Sequence, residues 1–141
     1  MAVTTTSGIP IWNFTLKQGA DQSFPSLWTD DNGNPVNLTG YLMELTIRAF
    51  VGSPVAILTL SSANNSGSYI SLGGSTGVFE PIFASADTAL LTGIGLPSSG
   101  LLTNGLGIQK LGVYDLKFVP PGGLVGYLYE GTVSLDPRST V

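Results

Sequence analysis

The chain contains no cysteine and no histidine. That removes disulfides, thiolate nucleophiles, haem ligation and the ordinary zinc and copper donor sets, together with every Ser-His or Cys-His catalytic pair. Charge is almost as scarce. Asp, Glu, Lys and Arg make up 10% of the residues, against about 25% in an average soluble domain. The five cations, Lys17, Arg48, Lys110, Lys117 and Arg138, are scattered, and affinity for phosphates needs clustered ones, so nucleic acid is not an expected partner. No apolar run approaches the roughly 18 uncharged residues of a membrane span, and a membrane partner is not expected either. Met1 to Gly8 lacks the basic and apolar regions of a secretion signal. Gly73 to Gly77 and Pro120 to Gly123 are glycine-rich, but neither is followed by the Gly-Lys-Thr/Ser of a phosphate loop, so they read as turns. No cofactor and no metal is expected.

What is present is β-strand pattern and turns. With 141 residues the chain is long enough for one domain with its own core. Its 19 glycines and 9 prolines imply many turns and therefore many short strands. Tyr41 to Phe50 is the clearest case: Tyr41, Met43, Leu45 and Ile47 alternate with Glu44, Thr46 and Arg48, a period of two that no helix produces. Similar patterns cover Ile11 to Lys17, Ser23 to Thr29, Val55 to Leu60, Ser68 to Leu72, Phe79 to Phe83, and Val113 to Val119. Val125 to Val133 is the last, with Val125, Tyr127, Tyr129 and Val133 expected on one face and Leu128, Glu130 and Thr132 on the other. Pro25 marks an edge strand or a bulge in the second, because proline cannot donate to a ladder. Asp30 to Pro35 is the strongest turn signal, with Asn32-Gly33 supplying positive φ.

Ser85 to Leu91 is the one helical candidate, with Ser85 as N-cap and Gly93 as stop. The whole reads as all-β: an antiparallel immunoglobulin-like β-sandwich of about eight strands, with one short helix near 85–92. A small barrel is the competing geometry, and periodicity does not separate the two. The expected organisation is an extended N-terminal arm at 1–9, a sandwich at 10–136 with an apolar loop insertion at 94–112, and a tail at 137–141.

Six stretches carry a resemblance: Gly19-Ala20-Asp21; Asp31-Asn32-Gly33-Asn34-Pro35-Val36-Asn37-Leu38-Thr39-Gly40-Tyr41; Thr46-Ile47-Arg48; Ser85-Ala86-Asp87-Thr88-Ala89-Leu90; Tyr114-Asp115-Leu116; and Leu128-Tyr129-Glu130-Gly131-Thr132-Val133. In this order they resemble small bacteriophage virion proteins and the N-terminal domains of phage upper baseplate proteins. The resemblance implies a non-catalytic structural adaptor of a tail, baseplate or tail fibre. It further implies a place in the virion after assembly in the host bacterial cytoplasm, with other phage structural proteins and copies of itself as partners. A capsid cement (decoration) protein is the alternative, and a host-glycan-binding module a further one.

Several constellations have plainer readings beside a functional one. Asp30-Asp31-Asn32-Gly33-Asn34 gathers oxygens as a calcium loop does, but it lacks glycine at the sixth position and a glutamate at the twelfth, and a hairpin turn explains every residue. Glu80 with Glu130, or Asp115 with Glu130, could form a glycosidase pair, yet each occupies an outward position of an alternating strand, so solvated sheet-face charges are expected and no enzyme. Trp12, Trp28, Tyr127 and Tyr129 could stack on sugars, although aromatic residues in strands more often fill a core. The apolar side chains Leu101, Leu102, Leu106 and Ile108, with Val3 and Ile9 of the arm, are the expected protein-interface residues. Each would give up about 1.5–3 kcal/mol of burial if left in water.

Overall fold

A computed structural model describes residues 2–4, 9–91 and 108–137, with side chains described from Ile9 onward. Among the described residues ten strands form two sheets: β1 (Ala2–Thr4), β2 (Phe14–Lys17), β3 (Gln22–Ser23), β4 (Ser26–Thr29), β5 (Leu42–Arg48), β6 (Ala56–Ser61), β7 (Tyr69–Leu72), β8 (Val78–Phe83), β9 (Gln109–Val119) and β10 (Gly126–Asp136). One sheet runs β1-β4-β8-β3 with β7 on the other side of β8, and the second runs β2-β10-β9-β5-β6. Two sheets packed over one core make this a sandwich and not a closed barrel. The β10-β9-β5-β6 order facing β4-β8-β7 is that of an immunoglobulin variable-type domain.

Most neighbouring strands pair antiparallel, as expected, and two pairs do not. β2 pairs with β10 in parallel, and so does β1 with β4. For β2 the Gln18 to Asp21 turn passes the chain from one sheet to the other instead of closing a hairpin. Leaving β2, the chain is held by the Gln18 N–H donating to the Asp136 carbonyl at 2.9 Å.

β3 and β4 are two halves of one strand. Gln22 opposite Phe83 and Leu27 opposite Val78 keep a single register against β8, and the Phe24 N–H between them donates to the Pro81 carbonyl at 3.1 Å. Amides alternate sides along a strand, so at Pro25 the N–H would point off the edge, beyond the reach of β1, whose pairing starts opposite Leu27.

The core lies between the sheets. Met43, Leu45, Ile47, Leu60, Leu116, Val133 and Leu16 are fully buried from one side, Phe79, Phe83 and Ile70 from the other. Rings interlock within and across it: Phe14 lies 4.8 Å from Tyr114 of its own sheet and Trp28 lies 4.9 Å from Phe118 of the facing sheet, both edge-on. Leu38 of the Asn37 to Tyr41 stretch plugs the same core at 1% exposure, while the Asn37 side chain accepts the Thr39 N–H at 3.0 Å to shape the loop around it.

Two expectations for β9 and β10 change. Register shifts between Tyr127 and Tyr129, so Leu128 and Tyr129 are both buried while Tyr127 and Val125 face outward. The bulge interrupts the period of two that had put Val125 and Tyr127 on the inner face. A second shift near Val133 accompanies consecutive burial of Leu111 and Gly112, and β9 starts at Gln109, so residues 109–112 of the expected loop are strand.

The helix α1 (Ser85–Thr88) is shorter than expected, and Ala84, not Ser85, is its N-cap. Ala84 has no side-chain oxygen to offer. The missing acceptor comes from Asp21, whose carboxylate takes the Ser85 N–H at 2.6 Å, and the Thr88 hydroxyl returns a bond to the Ala20 carbonyl at 2.9 Å. Ser68 completes the clamp, donating to Asp87 at 2.5 Å and accepting the Ala84 N–H at 2.9 Å. Two of the six stretches quoted above, around Ala20-Asp21 and Ser85 to Thr88, thus touch each other, and α1 closes that end of the sandwich.

Candidate functional site

The outer face of β5, β9 and β10 is built by the residues that alternate with the core. Register places Thr46 opposite Asp115 and Asp115 opposite Glu130, with Ile11 bridging Glu130 from the strand's lead-in. One row along, Arg48 faces Val113 and Val113 faces Thr132; in the other direction Glu44 faces Lys117. The first two rows floor a groove of about 550 Å³, whose wall is the 50–52 loop with Phe50 and Val51. Its rim is apolar and wet: Ile11 is 73% exposed and Val51 86%.

The backbone permits the groove at Gly131. A Cβ there would lie 2.3 Å from the Trp12 carbonyl oxygen, so only glycine lets the lead-in to β2 cross β10 this closely. The crossing is then pinned on both sides. The Asn13 side chain accepts the Thr132 N–H at 2.9 Å, and the Tyr114 hydroxyl donates to the Trp12 carbonyl at 2.5 Å.

The groove's charges are unevenly matched. Burial raises the Asp115 carboxyl above its ordinary 3.8; the Arg48 guanidinium opposes the shift, Glu130 adds to it, and Lys117 and Glu44 act weakly in opposite senses. Lys117 sits 3.9 Å from Glu44 and Lys17 3.3 Å from Asp136, whereas neither Asp115 nor Glu130 is in a salt bridge among the described residues. Arg48 is directed to the Ser53 carbonyl at 3.1 Å. Thr46 is nine-tenths buried, and its side chain lines the groove. Two adjacent carboxylates beside a guanidinium can bind and orient a cationic group, and Arg48 opposes without cancelling the rise that burial gives Asp115.

The sequence-based candidates fall as follows. Asp115 and Glu130 are brought side by side, while Glu80 lies on the other sheet opposite Ser71. Trp28 and Tyr129 are core, Trp12 packs against it, and Tyr127 is 47% exposed. The Asp30 loop is a turn: the Asp30 carboxylate accepts the N–H groups of Asn32 and Asn34 at 2.9 and 3.0 Å, and Gly33 takes φ 83°. No group of three or more metal-binding side chains occurs among the described residues, and none of their helices is long and apolar enough to cross a membrane.

Of the expected interface residues, Leu101, Leu102 and Leu106 lie outside the described residues. Val3 belongs to β1, in register with Trp28 of the same chain. Ile9 and Ile108 are 44% and 41% exposed, but they do not form one patch. Pro10 is bonded at Glu130, whereas Gln109 pairs with Leu135, about 17 Å further along β10. Other exposed apolar side chains were not anticipated. At the α1 end, Val55, Phe50, Val51 and Leu90 are 69%, 60%, 86% and 81% exposed; at the opposite end, Leu124 and Val125 of the β9–β10 connection are 90% and 57% exposed. Thr46, Arg48, Phe50 and Val51 were also missed as groove residues. Aligning the polar positions of the three alternating strands would have found the first two; nothing local marks the others.

No known protein family matches the chain, and no curated protein matches it. Among solved structures, the N-terminal domain of phage TP901-1 ORF48 aligns over 98% of this chain and 95% of that one, at 13% identity and a TM-score of 0.45. The likeness spans the whole chain and is loose.

Proposed function

We propose that this protein is a non-catalytic structural component of a bacteriophage particle, an adaptor that joins subunits of a tail, baseplate or tail fibre. The observation that carries this reading is the exposure of large apolar side chains at both ends of a sandwich with very few charges to keep copies apart. Val51 and Val55 at one end, and Leu124 and Val125 at the other, each recover about 1.5–3 kcal/mol if fully buried against a neighbour. The six ordered stretches that resemble phage virion proteins point to the kind of particle. Leu101, Leu102, Leu106 and Ile108, with Val3 and Ile9, remain part of the proposed interface.

The test is incorporation. Three double variants, Val51→Asp with Val55→Asp, Leu124→Asp with Val125→Asp, and Leu101→Asp with Leu106→Asp, are expected to fold with wild-type circular dichroism and to be lost from purified particles. Normal incorporation of all three would refute the adaptor reading. Imaging particles labelled on this subunit separates a tail position from a capsid one, and signal spread over the capsid surface would replace the adaptor by a cement protein.

A further inference from the structure

The groove on the outer face of β5, β9 and β10 has properties that the apolar ends do not share. Its floor sets two carboxylates, Asp115 and Glu130, directly opposite each other on neighbouring strands, an arrangement that costs stability unless a cation lies between them. The cation nearest to hand, Arg48, is held to the Ser53 carbonyl, and one guanidinium does not balance two carboxylates. Beside them lies Thr46, a residue nine-tenths buried whose side chain lines the groove. The volume, about 550 Å³, lies within the usual range for sites that enclose a ligand. The rim at Ile11, Phe50 and Val51 is apolar.

We propose that the groove seats an extended segment of a neighbouring protein subunit, with one arginine or lysine side chain laid between Asp115 and Glu130 and a flanking apolar side chain packed on Ile11, Phe50 and Val51. Charge complementarity selects this occupant: an acidic segment would meet two carboxylates, and a purely apolar one would leave them buried without partners. Arginine fits best, since its planar fork can address both carboxylates. The inference rests on the adaptor reading only in taking the partner to be a neighbouring subunit. The peptide experiment below reads the groove on the isolated chain, and the incorporation test reads assembly, so either can fail without the other.

The probe is the capped tripeptide acetyl-Leu-Arg-Leu-amide, titrated into the isotope-labelled full chain and followed by backbone amide NMR, alongside its citrulline counterpart, which keeps the shape and removes the charge. Saturable shifts are expected at the amides of Thr46, Val113, Asp115 and Glu130. Affinity should fall at least about tenfold for the citrulline peptide, and by as much for the arginine peptide with the Asp115→Asn, Glu130→Gln variant. Raising the salt should weaken the arginine peptide more than the citrulline one. No saturable shift at those amides, equal binding of the two peptides, or undiminished binding to the folded double variant would each overturn the proposal. Should the double variant not fold, the two peptides on the wild-type chain still decide.

Discussion

The two faces of the five-stranded sheet are made by alternate residues of the same strands and are built to different ends. On the inner face Leu45, Ile47, Leu116 and Val133 are fully buried and meet an aromatic cluster from the opposite sheet. On the outer face their neighbours Thr46, Asp115 and Glu130 floor a groove in which two carboxylates stand together. The inner face lowers the energy of the folded chain. On the outer face the desolvated Asp115 beside Glu130 costs stability, and a feature that costs stability is more readily understood as kept for a partner than for the fold.

The sharpest way to break that contrast is to substitute adjacent positions of β5. Leu45→Ala removes a fully buried side chain from a packed core and should cost about 2–5 kcal/mol in denaturant unfolding. Thr46→Val, one residue along, replaces the hydroxyl by a methyl of similar shape and should be neutral or stabilising within about 0.5 kcal/mol. A loss at Thr46 comparable to that at Leu45 would mean that the hydroxyl serves the fold, and the contrast would fail.

A middle-sized effect is expected where the α1 end is clamped. Asp21→Ala deprives the Ser85 N–H of its acceptor and should cost about 1 kcal/mol, as losses of helix caps typically do. Faster hydrogen exchange at the Ser85 amide would report the same change locally.

Among the described residues, one buried side-chain hydroxyl on the inner face lacks a hydrogen bond. The Tyr129 hydroxyl is buried without a hydrogen bond of good geometry; the Ser26 hydroxyl is the polar group that influences it, and its own proton goes to the Phe24 carbonyl at 3.1 Å. Burial pushes the Tyr129 phenol well above its ordinary value. Tyr129→Phe should therefore change stability by less than about 1 kcal/mol, in either direction, with unfolding in denaturant as the measure.

Much of the inner face was legible in the sequence. The Tyr41 to Phe50 alternation became β5 with Met43, Leu45 and Ile47 buried, and Phe79, Pro81 and Phe83 point inward as their spacing requires. The pattern misled where a strand bulges: at Leu128 the ladder slips by one, and the faces of Val125 and Tyr127 exchange. The true helix cap was hidden for a different reason, since its acceptor lies 64 residues away in the chain. The groove was half legible. Asp115 and Glu130 stood out as outward carboxylates, but their adjacency depends on the β9–β10 register, which no local period records. The rim at Ile11, Phe50 and Val51 joins parts of the chain that only the fold brings together.

The measurement that tests the account most directly is stability against pH for the wild type and Asp115→Asn. Burial raises the folded-state pKa of Asp115 above the 3.8 of an ordinary aspartate, against the opposing pull of Arg48 and with Glu130 adding to it. Between those two values the folded chain holds more protons than the unfolded one, so stability falls as pH rises through the window. The penalty is complete above the raised pKa and absent well below 3.8. Asp115→Asn should accordingly be the more stable protein at pH 7, with its advantage shrinking to nothing as the medium is acidified through that window. A wild type more stable than Asp115→Asn at pH 7 would show that the outer-face carboxylate supports the fold, and would contradict the account.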